Sequence, residues 1–205
     1  NYYFDRSAML YALTVDASWR ISVLVDEAHN LYSRACSMYS AELTHAQALA
    51  VRPHVPPSVR FRVDELLNQW QLMLDAAARQ SPDATWALLE EVPESLRRTL
   101  QKLNSTISEH LNDHPTDAHG ALLPFYFGTL GFAALAEEFG DHSLCEFDRA
   151  QTAPPLPEIG PEEEPQFQID GMAADASQMS AGRLTLRNIV PGHFLATRIQ
   201  AAWDA

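Results

Sequence analysis

The sequence predicts a mainly α-helical fold with a few β-strands. Apolar residues recur at helical spacing in two stretches, Val59 to Ala77 and Leu96 to Leu111, and a third stretch, Ala118 to Phe139, is nearly apolar throughout. Two short stretches, 141–150 and 182–190, have instead the composition of strands. Hydrophobic residues make up 46% of the 205 residues and charged residues 20%, a balance typical of a globular chain with one compact domain or two small ones.

The first predicted element is a strand. The run from Ile21 to Val25 is rich in Val and Ile and is followed at once by Asp26 and Glu27, which predicts a buried strand that ends at a polar rim. From His29 to Ala50, Ala, Leu, Met and Glu occur at the density of a helix, and a proline-rich stretch closes this region.

Three longer helices follow. The first has Ser58 as its predicted N-cap, and the second begins after Pro93 and ends before Pro115. The third is nearly apolar all round and ends at Gly140. Its most apolar stretch, Gly120 to Ala136, is shorter than the roughly 20 residues that a membrane-spanning helix needs and is broken by Pro124, Gly128 and Gly131, so we predict a buried core helix and no membrane association.

The chain is predicted to finish with two strands, within Asp141–Ala150 and Gly182–Val190. The segment between them is rich in Pro, Glu and Gln and is predicted to be a mobile loop. Its acidic run, residues 162–164, is typical of a solvated surface.

Charge and cysteine content restrict the possible functions. Fourteen basic and 27 acidic residues give a formal net charge of −13, so any contact with nucleic acid must be local. The two cysteines, Cys36 and Cys145, form no C-x-x-C pair and favour a reducing, cytoplasmic setting. Asn1 opens the chain without a signal-peptide pattern, and we expect the chain to be cut from a longer one.

The stretch Val23 to Leu31 carries the strongest chemical signal. Two adjacent acids at the carboxyl end of a buried strand can divide the work of nucleotide hydrolysis. Asp26 would hold Mg²⁺ through its water shell, and Glu27 would orient and deprotonate the attacking water. Both Asp26 and Glu27 are predicted to contact the Mg²⁺ ion through water. His29 would lie where it could contact a second motor domain. The alternative is that Asp26 only caps the next helix and His29 is a surface residue.

This stretch, V-L-V-D-E-A-H-N-L, resembles motif II, the DEAH box, of the XPD/DinG-like branch of superfamily 2 DNA helicases. Residues 1–5 resemble the Asn-Tyr segment that precedes motif II in that family, and Met38 to Ala41 resembles the sequence that follows it. Near the other end, Leu186 to Pro191 with Phe194 and Leu195 resembles the segment that leads into motif III.

The resemblance implies three domains. Residues 1–31 would belong to an incomplete α/β RecA-like motor domain, 32–140 would form a helical arch domain, and 141–205 would return to the motor domain. The implied activity is ATP-dependent 5′ to 3′ movement on single-stranded DNA in repair or replication, with ATP and Mg²⁺ as cofactors. A [4Fe-4S] cluster is implied for the parent chain but not for this segment. The implied partners are single-stranded DNA, the iron-sulfur domain and the second motor domain, and the implied state is a monomer.

One part of the nucleotide site is missing from the sequence. A phosphate-binding P-loop needs Gly-Lys followed by Ser or Thr, and the single lysine, Lys102, lies between Gln101 and Leu103. We therefore expect the segment alone to be inactive. The competing hypothesis is a non-catalytic helical interaction or regulatory module, in which the acid pair is only a cap.

Two further groups of residues give weaker evidence of a binding or metal site. Arg52, His54, Arg60 and Arg62 form the densest basic patch, which predicts either a phosphate contact of its arginines with single-stranded DNA or ordinary salt bridges. His110 and His114, four residues apart, suggest a metal-dependent hydrolase as a third hypothesis, although histidines that stabilise a helix C-terminus are the favoured interpretation.

Overall fold

The computed structural model describes residues 3–5, 9–81, 84–149 and 182–204, with side chains as far as residue 200. The predicted loop and its acidic run lie outside this part of the chain. Most of the described residues are helical, and four strands form one antiparallel sheet. The sequence therefore predicted the mainly α class with a few strands correctly.

Seven α-helices account for most of the described chain. They are α1 (Leu10–Asp16), α2 (Leu31–Met38), α3 (His45–Val51), α4 (Pro57–Gln80), α5 (Glu94–Asp113), α6 (Leu122–Glu137) and α7 (Gly192–Asp204). Short 3₁₀ turns at Ala28–Asn30, Arg52–His54 and Pro115–Asp117 precede α2, α4 and α6.

The sheet joins strands from distant parts of the chain. They are β1 (Ala41–Thr44), β2 (Trp86–Leu89), β3 (Ser143–Asp148) and β4 (Arg183–Asn188), in the spatial order β1-β4-β3-β2. All three pairings are antiparallel. The two predicted late strands are confirmed and form the centre of the sheet, while β1 and β2 are its edges.

The core lies between one face of the sheet and the long helices. Alternate residues of β3 and β4 face inward and are buried, and the apolar stripes of α4 and α5, with the buried side chains of α6, contribute most of the rest. Trp70 of α4 meets Phe147 of β3 edge to face, with ring centroids 6.1 Å apart. The periodicity that predicted these helices therefore reports their buried faces.

Several helices and strands begin or end at residues other than those predicted. Ser58 is not the N-cap of α4, because the helix begins at Pro57 after Pro56 in extended conformation. The region predicted as one helix from His29 to Ala50 is divided into α2, β1 and α3. Thr44 is the reason, since its extended backbone and its capping box with Gln47 end β1 and start α3.

The predicted buried strand at Ile21–Val25 is wrong. These residues form neither helix nor strand, and the Leu24 side chain is 96% exposed. A buried parallel strand exists only where neighbouring strands bond both of its edges. The described sheet is antiparallel, and none of its four strands pairs with this run.

Helix α6 carries the most apolar sequence in the chain. It spans 16 residues and packs on α5 and the sheet, with Leu122, Phe125 and Phe132 among its buried side chains. Within the described ranges, no helix combines the length and the apolar character needed to cross a membrane.

Candidate functional site

The acidic segment forms an exposed turn at the entry to α2. Glu27 adopts the left-handed backbone conformation, with φ 50° and ψ 46°, and its N–H donates to Asp26 Oδ1 at 2.9 Å. His29 Nδ1 lies 3.2 Å from Glu27 Oε2, and these two side chains are 72% and 64% exposed. The structure thus brings Asp26, Glu27 and His29 together in one turn, open to solvent.

The left-handed backbone at Glu27 has a cost. A non-glycine residue in this conformation is disfavoured by about 1–2 kcal/mol. Such conformations cluster at active sites and switch regions but also occur in ordinary turns, and Ser18 has the same φ of 50°. The peptide N–H of Asn30 donates to the Glu27 carbonyl at 2.9 Å and helps to hold the turn.

The carboxylates have the chemistry that Mg²⁺ requires. Oxygen ligands suit this ion, which keeps several of its waters and takes one or two carboxylates from a protein. One oxygen of Asp26 accepts the Glu27 N–H and the other is open, so this turn fits a water-mediated contact. The groups that would cradle a nucleotide's phosphates are not in this sequence, because it lacks a P-loop.

The segments that resemble the helicase family meet in space, although they lie at opposite ends of the chain. The Tyr3 hydroxyl donates to the Arg198 carbonyl at 2.9 Å, and the Arg198 guanidinium donates back to the Tyr3 carbonyl at 2.7 Å. Burial raises the pKa of Tyr3. Arg198 also lies over the Tyr11 ring, 4.5 Å from its centroid, and so joins α1 to α7.

Tyr39, in the segment after the acidic turn, contacts both ends. Its hydroxyl donates to the Phe4 carbonyl at 2.6 Å, and its ring stacks on Phe194 with a centroid distance of 4.4 Å. The next residue, Ser40, accepts a hydrogen bond from the Asn188 N–H at 2.9 Å. Three of the segments that carry the resemblance are therefore packed into one structural unit.

Tyr32 connects the acidic turn to the carboxyl-terminal segment. Its hydroxyl donates to the Ile189 carbonyl at 2.9 Å across 157 residues of sequence. Its pKa is raised, first by the charge of Cys36 and then by a hydrogen bond with the same thiol. Sequence reasoning did not single out Tyr32 or Arg198, because the contacts that give them a role are long-range.

Exposed apolar side chains concentrate on the same region. Among the described residues, most of the large apolar side chains that face solvent lie before residue 33 or after Asn188. They are Met9, Leu10, Leu13, Val15, Trp19, Leu24, Val25, Tyr32, Ile189, Val190 and Ile199. Where such side chains adjoin in a patch, they mark a place where other protein packs.

The three arginines predicted as DNA contacts already have partners in the fold. Arg52 forms a two-point contact with Asp64, which raises the pKa of the guanidinium, and Arg62 pairs with Glu65. The Arg60 guanidinium donates to the Val55 carbonyl at 3.2 Å. The acidic partners of Arg52 and Arg62 offset much of the positive charge that a phosphate would require.

The two histidines of the proposed metal site, His110 and His114, lie at the carboxyl end of α5. The His110 and His114 rings lie 5.1 Å apart at the end of α5, and His110 Nε2 lies 3.1 Å from Asp117 Oδ2. Across the described ranges, no group of three or more His, Cys, Asp or Glu side chains is placed to hold a metal ion. The geometry therefore gives the metal-dependent hydrolase hypothesis no support.

Comparison with known proteins gives no family for this chain. No protein-family model matches it, and no curated protein matches it.

Proposed function

We propose that this chain is a segment of an ATP-dependent 5′ to 3′ DNA helicase of the XPD/DinG-like kind. The observation that carries the proposal is the run Val23 to Leu31, which contains the DEAH box and its Asn-Leu continuation. In this proposal residues 1–31 and 141–205 belong to an incomplete RecA-like motor domain, and 32–140 form the arch. The protein works as a monomer in the cytoplasm, in DNA repair or replication.

The three residues of the acidic turn have separate tasks. Asp26 holds Mg²⁺ through water, and Glu27 orients the attacking water and takes its proton. His29 relays the state of the nucleotide to the second motor domain. Bound Mg²⁺ neutralises charge on the phosphates of ATP. Arg52, Arg60 and Arg62 are the proposed contacts of the arch with single-stranded DNA.

Two features of the structure support this proposal. Residues before and after the proposed arch pack against one another through the paired hydrogen bonds of Tyr3 and Arg198, as parts of one motor domain would. The apolar side chains of the same segments face solvent, which is expected where the remainder of a motor domain packs. The proposal also accounts for the wrong strand prediction at Ile21–Val25, because the strands that would pair with this run belong to the remainder of the motor domain.

The test is ATP hydrolysis by the longer polypeptide that contains this sequence. Glu27→Gln keeps the size of the side chain but removes the base that activates water. DNA-stimulated turnover is expected to fall about 10²- to 10⁴-fold, with folding unchanged by circular dichroism. Nucleotide binding should be retained, because Glu27 acts on water and not on the phosphates.

Glu137→Gln is the matched control, since Glu137 is an exposed acid at the end of α6. Its turnover should equal that of the parent. Equal turnover of parent and Glu27→Gln would remove the helicase proposal.

One observation favours the second candidate, a non-catalytic helical interaction or regulatory module. The acid pair has a local structural role, because Asp26 accepts the Glu27 N–H and Glu27 contacts His29. The predicted cap itself is wrong, since the N-cap position of α2 is Asn30 and no side chain caps that helix. In this case Asp26→Ala destabilises the turn, while Glu27→Gln leaves every activity of the longer polypeptide unchanged.

A further inference from the structure

One hydrogen bond shows which residues of the edge strand β2 bond to β3 and which face away from it. The Arg149 N–H donates to the Thr85 carbonyl at 2.7 Å, in register with the β2–β3 ladder. Bonded and non-bonded residue pairs alternate along an antiparallel ladder. Ala87 and Leu89 are therefore the residues of β2 that bond β3.

Trp86 and Leu88 consequently direct their N–H and C=O groups away from β3. No strand within the described residues pairs with this edge, which is the last in the order β1-β4-β3-β2. Their side chains stand on the sheet face opposite the helices and are 63% and 54% exposed. Four backbone hydrogen-bonding groups and two large apolar side chains thus lie along one open edge.

The opposite edge of the sheet is protected. On β1 the outward residues are Glu42 and Thr44, which follows from the bond between the His45 N–H and the Gly182 carbonyl. The Thr44 N–H is already bonded to the Gln47 side chain at 3.1 Å, and Glu42 adds a charge. Charges and occupied donors are the usual means by which sheet edges avoid pairing. The sequence of β2, Trp-Ala-Leu-Leu, has neither.

The charge beside this edge indicates what binds there. The acids on the outer face of β3 are matched within the sheet, since Glu146 is bonded by Arg187 and Asp148 by Arg183. Glu90 and Glu91 directly follow β2, are exposed, and form no ion pair among the described contacts. The unmatched charge at the Leu89 end of the edge is therefore negative, while at the Thr85 end the Arg149 guanidinium bonds the Ser81 carbonyl and, among the described contacts, no acid.

We propose that β2 is a docking site for an extended peptide of a partner protein, which adds to the sheet as a fifth strand. Its backbone bonds Trp86 and Leu88, alternate apolar side chains pack beside these two residues, and basic residues at one end face Glu90 and Glu91. Recognition by strand addition takes its affinity from the main chain and its specificity from such side-chain contacts. This inference is independent of the proposed helicase activity.

Amide hydrogen exchange tests the pattern directly. In the free chain, the amides of Trp86 and Leu88 should exchange fast and those of Ala87 and Leu89 slowly. The probe is a ten-residue peptide of alternating valine and threonine with two lysines at its amino end, placed to meet Glu90 in an antiparallel arrangement. Saturating peptide should slow exchange at Trp86 and Leu88 only. Slow exchange at these two amides in the free chain would overturn the proposal.

A backbone variant separates strand addition from other binding. Leu88→Pro removes an outward N–H and no ladder bond, a substitution that edge strands tolerate. It is expected to weaken peptide binding about tenfold relative to Leu88→Ala, which also loses the side chain but keeps the amide. The same peptide with glutamate in place of lysine should bind more weakly.

Three results would contradict the proposal. The first is that the peptide binds Leu88→Pro and Leu88→Ala equally well. The second is that the chain associates with itself and that Leu88→Pro abolishes this association. The third is that oligothymidylate binds at Trp86 more tightly than the peptide does. The second would assign the edge to another copy of this chain, and the third would assign it to nucleic acid.

Discussion

At the scale of single residues, Gly182 shows how strongly one backbone position is constrained. Its φ is +109°, and a Cβ there would overlap the carbonyl oxygen of Asp148 on the neighbouring strand. Only glycine satisfies both conditions. The sequence shows a glycine before a predicted strand, but not the close approach that makes it necessary.

We predict that Gly182→Ala lowers the free energy of unfolding by more than about 1 kcal/mol, because the strand must shift to admit the methyl group. Gly128→Ala is the control, since Gly128 lies in α6 and a methyl group added there would enter open space. It should be neutral or stabilising by about 0.5–1 kcal/mol. Guanidinium unfolding of both variants checks this, and a Gly182→Ala midpoint at or above that of the parent would be incompatible with the geometry.

The two cysteines should differ in reactivity. Cys145 is fully buried in β3, and burial raises the pKa of its thiol to about 12. Since the thiolate is the reactive form, this residue should resist labelling at pH 8, while half-buried Cys36 reacts. Titration with a thiol reagent should count one thiol in the native chain and two in denaturant. Two fast-reacting thiols in the native chain would show that the core around β3 is open.

At the scale of elements, a buried polar contact joins α5 to α6. The Thr129 hydroxyl donates to the Asn104 side-chain oxygen at 2.7 Å, and both residues are buried. An unsatisfied buried polar group costs more than its hydrogen bond contributes. This pair therefore fixes how the two helices meet.

Thr129→Val is expected to destabilise the chain by about 1–3 kcal/mol, because it leaves the Asn104 amide without its partner. The double variant with Asn104→Leu should recover part of that loss. A double-mutant cycle in urea measures the coupling. Additive effects of the two substitutions would mean that the contact contributes nothing to stability.

The elements were predictable to different degrees. Helices α4 and α5 could be predicted because their apolar stripes repeat over many turns, and α6 because its sequence is apolar throughout and is followed by Gly140. Strands β1 and β2 were missed, since four residues carry too little pattern and their partners lie about 60 to 150 residues away in sequence. The run Ile21–Val25 has a strand's composition, but composition does not supply the neighbouring strands that a sheet requires.

At the scale of the whole molecule, the two ends of the chain are brought together. Sequence reasoning identified Asp26, Glu27 and His29 as a unit, and the structure places them in one turn. Sequence reasoning did not reveal that Tyr32 and Tyr39 form hydrogen bonds with residues near the chain's ends, because such long-range contacts leave no local sequence pattern. The salt bridges that the sequence offered as the alternative for the basic patch are confirmed for Arg52 and Arg62, whose partners are acids of α4.

The most direct test of the central claim is strand displacement by the longer polypeptide that contains this sequence. We predict ATP- and Mg²⁺-dependent displacement from a duplex with a 5′ single-stranded tail, little from a duplex with a 3′ tail, and none with Glu27→Gln. Displacement that is absent on both substrates, or that requires the 3′ tail, would contradict the assignment to this class of helicase.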